Sequence, residues 1–472
     1  MSGPFQPLEC HIQRSDCLVT DGDQRLLART LWQNAEAERG EIGRSLVVAC
    51  LDNDLDGIAL YLSLVYGDSV PMIFPGGSNT DLLGQVLSRF RPNFLILAKA
   101  DVPEGFCFAF HWGRYHVFAA RQQVQHAFID GLCLLATTSG STGSPKVVRQ
   151  STANIAVNTQ QIIDALGLTA QDTAITSLPI SYTFGMSTVN CQIFTGGPLV
   201  ATPYAVTQKE TLQLLQSENV SVFSGVPQTY EQLARMRFFK SRYVGSIKTF
   251  LQAGGKMNGQ LASSLRRALA NSSANFHVMY GQAEATTRIS ILPTPDFYNQ
   301  SGSVGVPLNG GSIDIVDEHG DRVPQGAEGE ILYRGENVAL GYAEEAADLS
   351  EPDEFRGQVR TGDIGYLDER GYLFITGRLK RMAKVNGQSL NLSHLEVLLE
   401  EAFDTYFTCV ELDERIHIAT SVQLNQTDVE NVLEKQTRLT FRDIQLHHVA
   451  QLPQTSTGKT DYRALGVLLL AS

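Results

Sequence analysis

Residues 137 to 146 read TTSGSTGSPK and directly follow the apolar run Leu132, Cys133, Leu134, Leu135. Such a run is built to wrap phosphates. Gly140 and Gly143 let backbone amides approach a ligand closely, and the hydroxyls of Thr138, Ser139, Ser141 and Thr142 donate to phosphoryl oxygens. Lys146 adds a mobile positive charge. The run is not a Walker loop, which requires Gly-Lys-Ser/Thr where this chain has Gly143, Ser144 and Pro145. The same composition also makes flexible surface connections, so the rest of the chain decides.

Four further segments carry chemistry. Residues 279 to 287 read MYGQAEATT, placing an aromatic stacking face at Tyr280 and the carboxylate of Glu284, a suitable partner for Mg2+, which prefers carboxylate and phosphate oxygens. Residues 360 to 363 read RTGD, and Asp363 in a tight glycine turn is a natural acceptor for both hydroxyls of a ribose. Gly377 and Arg378 open the segment GRLKRMAKVNG, and TGKTD at 457 to 461 sets Lys459 in a loop near the end of the chain. Taken singly, these are a turn with a solvated acid and a solvated lysine. Taken as an ordered set, they point to a nucleotide.

These residues need a scaffold to bring them together. At 472 residues the chain exceeds what one core supports, so two or more domains are expected, and a hydrophobic fraction of 43% fits an ordinary globular protein. A formal charge of -13 disfavours unaided binding to nucleic acid or an anionic membrane. The opening MSGPFQPLECHIQRSD shows no basic leader before an apolar core, and no run of eighteen apolar residues occurs, so the reading is a soluble cytoplasmic protein. Seven cysteines (Cys10, Cys17, Cys50, Cys107, Cys133, Cys191, Cys409) show no CxxC pair and read as reduced thiols without chemistry.

Short apolar runs such as 45–50 and 94–98 alternate with amphipathic stretches, the pattern of layered α/β structure. Ser151 is placed to cap a helix with Ile155, Ile162, Ile163 and Leu166 on one face and Gly167 at its end, so the phosphate loop is expected to lead from strand toward helix. From about Gly305 strand-like pieces at 312–316, 329–333 and 372–376 predict a β-rich subdomain. Helices at 395–402 and 429–437 with a strand at 416–422 predict a small α+β domain beyond a boundary near Lys380.

In order, the hydroxyl-rich loop, YGxxE, TGD, GRxK and terminal GK resemble the adenylate-forming superfamily of acyl- and aryl-CoA synthetases, peptide-synthetase adenylation domains and luciferases, from about Leu132 to Leu465. The resemblance implies an α/β fold: a large N-terminal domain (1–379) of stacked α/β subdomains plus a β-rich subdomain, then a small mobile α+β C-terminal domain (380–472) hinged at Lys380. It implies that Thr138, Ser139, Gly140, Ser141, Thr142, Gly143 and Lys146 grip the ATP phosphates. Tyr280 would stack on adenine, with Gly255, Lys256, Gly281, Gln282 and Ala283 around the nucleotide. Glu284 would hold Mg2+, Asp363 the ribose, and Arg378 a further ribose or phosphate contact, while Lys459 would bridge the substrate carboxylate and the α-phosphate.

The implied activity is ATP-dependent conversion of a carboxylic acid to an acyl-adenylate with release of pyrophosphate, then transfer to a thiol, coenzyme A being favoured. The alternatives are transfer to the phosphopantetheine of a carrier protein, or a nucleotide-binding homologue with weakened catalysis. The last is motivated by Ala283, which stands where the family has threonine. Tyr182 replaces the histidine of many acyl-CoA relatives and supplies no charge for an amino acid's ammonium. Pocket candidates by resemblance are Tyr182, Phe184, Gly185, Ser224, Gly225, Val226, Pro227 and Gly254. This lining is apolar and aromatic, sets no anion-pairing group against a second charge, and suits an aromatic or medium aliphatic acid. Fewer residues precede the phosphate loop than is common in the family, so a trimmed N-terminal subdomain is expected.

Overall fold

The computed structural model describes residues 7–40, 42–78, 80–137, 146–257, 259–270, 272–299, 302–385, 388–403, 405–413, 415–437, 439, 443–453 and 460–470. Two large sheets and their helices form its first part. The strands Leu46–Leu51, Val70–Pro75 and Phe94–Leu97 run parallel, and all six residues of Leu46–Leu51 are buried, as expected of a strand covered on both faces. Among the described residues this sheet has eight strands, and a second has nine.

The strand Leu132–Thr137 pairs antiparallel with Val147–Ser151, which corrects the expectation for the phosphate loop. The loop joins two hairpin strands rather than running from strand into helix. The helix Thr152–Leu166 starts only afterwards, capped by its own residues: Ser151 Oγ accepts from the Asn154 amide at 3.1 Å, and Asn154 Oδ1 accepts from the Ser151 amide at 2.9 Å. Gly167 ends the helix at φ +64°. Arg149 hides this second strand in the sequence. It is 1% exposed, and its guanidinium donates to the carbonyls of Glu351, Leu340 and Pro352.

In the nine-stranded sheet Val222–Gly225, Thr249–Gln252 and Asn275–Tyr280 are parallel neighbours, with Gly225 opposite Gln252 and Gln252 opposite Val278. Their carboxyl ends therefore open onto one edge, the usual place for a ligand in such sheets. Ser312–Val316, Gly329–Arg334, Gln358–Leu367 and Leu373–Arg378 form the expected β-rich part, an antiparallel four-stranded sheet.

The last part has its own core. Helices Leu392–Phe403 and Gln426–Gln436 bury Leu395, Leu399, Val429 and Leu433 against Ile416 and Ile418 of the strand Arg415–Thr420. Between the parts runs the short turn Leu379–Arg381. Arg381 is moored to the last part through an ion pair with Glu396, a 3.0 Å bond to the Cys409 carbonyl and a guanidinium 3.8 Å from the Tyr462 ring centroid. Tyr406 donates across to Glu231. No disulfide joins the cysteines, and burial pushes the thiols of Cys17, Cys50, Cys133 and Cys191 up to about 12, which leaves them inert as nucleophiles. Among the described residues no helix is long and apolar enough to cross a membrane.

Candidate nucleotide and acid site

Two of the sequence-predicted residues converge on the carboxylate of a third. Asp363 is 2% exposed; its Oδ2 accepts from the Tyr280 hydroxyl at 2.6 Å and its Oδ1 from Arg378 Nε at 2.6 Å. The register explains the second contact, because Asp363 and Arg378 lie directly opposite each other on adjacent antiparallel strands. The Asp363 carboxylate raises the pKa of Arg378, and burial with the same carboxylate raises that of Tyr280, so the pair stays a cation and a neutral donor. A carboxylate offers about four lone-pair sites, so two bonds leave room for a vicinal diol. The Tyr280 ring packs among Ile289, Ile331 and Tyr333 and is itself 8% exposed.

Glu284 sits in a short helical turn, Ala283–Ala285, and its Oε1 accepts from the Tyr342 hydroxyl at 2.9 Å. Lys146 lies over the other face of this arrangement, its Nζ 3.6 Å from the Tyr342 ring centroid and 4.0 Å from Glu344 Oε1. Tyr342 thus joins the predicted metal ligand to the end of the predicted phosphate loop. Burial and the Glu284 charge hold its phenol well above the usual range, so it remains a donor. Among the described residues no group of three or more metal-ligating side chains occurs. An ion here would take one protein carboxylate and complete its shell from phosphate and water oxygens, the preference of Mg2+.

The chain after Glu284 reverses sharply. Thr286 has φ +62° and ψ −62°, and the Thr287 amide donates to the Ala285 carbonyl at 2.7 Å across it, a γ-turn in the sterically rare hand. The buried Asn337 holds the turn. Its Nδ2 donates to the carbonyls of Ala285 at 3.0 Å and Arg288 at 2.9 Å, and its own carbonyl accepts from Thr286 Oγ1 at 2.7 Å. Gln150 Nε2 secures the near side by donating to the Ala283 carbonyl at 2.9 Å. Gly281 is required here, since a Cβ would lie 2.0 Å from the Thr287 carbonyl oxygen.

Of the pocket candidates, Tyr182 and Gly254 meet: Gly254 has φ +87°, and a Cβ there would lie 2.7 Å from the Tyr182 hydroxyl and 3.1 Å from Val226. Ser224 Oγ is 3.3 Å from Thr188 Oγ1, while Gly225 and Pro227 flank Val226 at the strand end. Gly185 packs against the Pro179 carbonyl, where a Cβ would come within 2.1 Å, so its position is structural. Phe184 is 2% exposed and lies beneath the Arg288 guanidinium, whose carbon is 3.9 Å from the ring centroid. Arg288 is thus a buried cation that the sequence reading did not set beside Phe184. Arg288 heads the run RISIL, where in sequence it reads as a polar residue at a strand edge.

Lys256 is exposed on the side facing the last part of the chain, where its charge acts on Glu396 and Glu400. Gly255 holds the bend before it by accepting from Gln252 Nε2 at 2.9 Å. Lys380 stands in the connecting turn Leu379–Arg381. Thr138, Ser139, Gly140, Ser141, Thr142, Gly143 and Lys459 lie outside the described residues.

A family profile described as AMP-binding enzyme matches residues 93–343. The chain belongs to this family, within the adenylate-forming superfamily its motifs resemble. Among curated proteins it is 29% identical over 272 residues to a feruloyl-CoA synthase of an Amycolatopsis species, covering 57% of this chain and 54% of that one. It is also 29% identical over 333 residues to a 2-succinylbenzoate–CoA ligase of Listeria innocua, covering 68% and 67%. The chain spans about half the length of the first curated relatives it matches. Among solved structures, Klebsiella oxytoca NpsA in complex with 3-hydroxyanthranilyl-AMSN superposes with a TM-score of 0.79 at 19% identity, covering 99% and 100% of the two chains. O-succinylbenzoate coenzyme A synthetase from Bacillus subtilis in complex with AMP gives 0.77 at 19%, covering 98% of each. These two likenesses establish the architecture.

Proposed function

We propose that this chain is an AMP-forming acid–thiol ligase, which joins a carboxylic acid to the α-phosphate of ATP with release of pyrophosphate and then transfers the acyl group to coenzyme A. The observation that carries this reading is the meeting of Tyr280, Asp363 and Arg378, drawn from three separate motifs, on one buried carboxylate suited to a ribose. Tyr342 extends the constellation to Glu284 and Lys146 on the phosphate side. The names of the two curated relatives given above, a CoA synthase and a CoA ligase, support the acceptor.

In this reading Asp363 and Arg378 fix the ribose, Tyr280 borders the adenine, and the loop through Lys146 holds the phosphates. Glu284 holds Mg2+, which when bound neutralises phosphate charge. Lys459 steadies the charge that develops at the α-phosphate as the acid's carboxylate attacks. Asp363, Tyr280 and Arg378 hold one another in place before the reaction, so little reorganisation opposes ribose binding there. The division at 379/380 belongs to the same proposal: after adenylation the last part turns about Lys380 to present a second face to the thiol.

The test is hydroxamate trapping and pyrophosphate exchange with a panel of acids, repeated with coenzyme A and with a holo carrier protein as acceptor. Lys459→Ala is expected to lower adenylation at least roughly 100-fold, the cost of one preorganised donor, and to leave ATP binding intact. Lys380→Pro is expected to spare adenylation and block thioester formation. Near-normal exchange in the first variant, or equal slowing of both half-reactions in the second, sinks the corresponding role.

A further inference from the structure

The short strand Gly341–Ala343 lies antiparallel against Val147–Ser151, with Tyr342 opposite Val148. Lys146, two positions before Val148, therefore falls on the same face as Tyr342 and diagonal to it, which brings its Nζ over the Tyr342 ring. The same stretch of chain holds Glu284 by its backbone, since the Ala339 amide donates to the Glu284 carbonyl at 2.9 Å. Between these two limbs the Tyr342 ring is fixed. It packs with Ala136, Val148 and Ala339, and the Phe355 ring meets it edge-on, with centroids 5.2 Å apart at 86°. The Tyr342 amide donates to Glu354 Oε2 at 3.3 Å. The direction of the phenol is thus set by the sheet and its packing, not by the carboxylate it reaches.

That carboxylate needs a guide. The terminal torsion of a glutamate is broad, so a glutamate that is the one protein ligand of an ion does not orient itself. The Tyr342 hydroxyl, 2.9 Å from Glu284 Oε1, engages that oxygen. Among the described residues no hydrogen bond reaches Oε2, which is left to face a ligand. Groups that hold a metal ligand by a hydrogen bond in this way typically raise metal affinity roughly 10- to 100-fold.

We propose that Tyr342 is a positioning residue for the activation step, whose hydroxyl turns Glu284 so that Oε2 meets the metal of Mg·ATP. This rests on the proposed ligase activity and adds to it a residue outside every sequence motif that pointed to the nucleotide. The hydroxyl acts through Glu284 alone, while the ring keeps the seat of Lys146, so the two contributions separate by substitution.

Tyr342→Phe removes the hydroxyl and retains the packed ring. Calorimetric titration with ATP, in excess Mg2+ and in EDTA, reads the metal's contribution to binding as a ratio of affinities. Pyrophosphate exchange against free Mg2+ reads the metal requirement of the reaction. Tyr342→Phe is expected to lower the ratio and to raise the half-saturating Mg2+ roughly 10-fold, with metal-free ATP binding unchanged. In a Glu284→Gln background the same substitution should add nothing, because the hydroxyl then has no charged ligand to orient. A merely structural role would weaken ATP binding equally with and without metal, and that result overturns the inference. So does an unchanged Mg2+ dependence in Tyr342→Phe, an additive effect in the Glu284→Gln background, or native ATP binding that ignores Mg2+. A ratio that falls as expected, without pyrophosphate exchange from any acid, would refute the ligase reading alone and leave the role of Tyr342 at the metal ligand standing.

Discussion

At Asp363 an ion pair with Arg378 and a hydrogen bond from the Tyr280 hydroxyl leave a buried carboxylate with lone pairs to spare, which the proposed function assigns to a pair of adjacent hydroxyls. Asp363→Asn keeps the shape but removes the charge, and one of its two terminal atoms then becomes a donor facing either Tyr280 or Arg378. Hydrogen bonds to charged groups contribute about 1.5–3 kcal/mol, so ATP affinity is expected to fall roughly 10- to 100-fold, measured by calorimetry. An unchanged affinity would remove Asp363 from the site. Asp363, Tyr280 and Arg378 were legible in the sequence because each sits in a short motif whose residue type states its chemistry. Tyr342 was not, since its partner Glu284 is 58 positions away and nothing in its own neighbourhood marks it. Arg288 was hidden by the apolar run it begins, where a cation looks like an ordinary strand end.

The turn after Glu284 is where elements rather than single residues decide the outcome. A β-branched residue at positive φ is unfavourable on its own, and Asn337 compensates by bonding to both limbs of the reversal. Asn337→Ala would leave the carbonyls of Ala285 and Arg288 and the Tyr333 hydroxyl, which donates to Asn337 Oδ1 at 2.8 Å, without these bonds. The expected loss is about 3 kcal/mol in urea unfolding. A loss under about 1 kcal/mol would show that the turn holds itself. Elements with a clean pattern were readable: the Ser151 cap, the Gly167 stop and the strand Ser312–Val316 all stand where periodicity and turn residues put them. The strand Val147–Ser151 was not, because a buried arginine satisfied by distant carbonyls breaks the apolar pattern on which strand reading depends.

Across the whole molecule the two parts meet at a patch of like charge. Glu400 lies near Glu396 and Glu231, with Lys256 and the Phe407 amide opposing, and burial first, then Glu396, raises its pKa to about 7 from an ordinary 4.5. The folded protein therefore binds this proton more tightly than the unfolded chain. The unfavourable contribution builds as pH rises from about 4.5 to about 7 and is constant above. Glu400→Gln is expected to raise Tm by roughly 2–4 °C at pH 8 and to lose that advantage at pH 5. An advantage independent of pH would assign the effect to packing instead. The layered α/β body, the β-rich part and the α+β end were all foreseeable from texture. Charge placement at their junction was not, since it depends on how separate surfaces face each other.

The moorings on either side of the connecting turn have a mechanical corollary. Arg378 is tied to Asp363, and Arg381 to Glu396 and the Cys409 carbonyl, so only positions 379 and 380 lie between two anchored side chains. In the proposed two-position cycle, a reorientation that keeps both ties is concentrated in the torsions from ψ of Arg378 to φ of Arg381, four of which belong to those two residues. Such a joint works as a swivel with discrete stops rather than as a slack tether, and ring closure at 380 would freeze one of its axes.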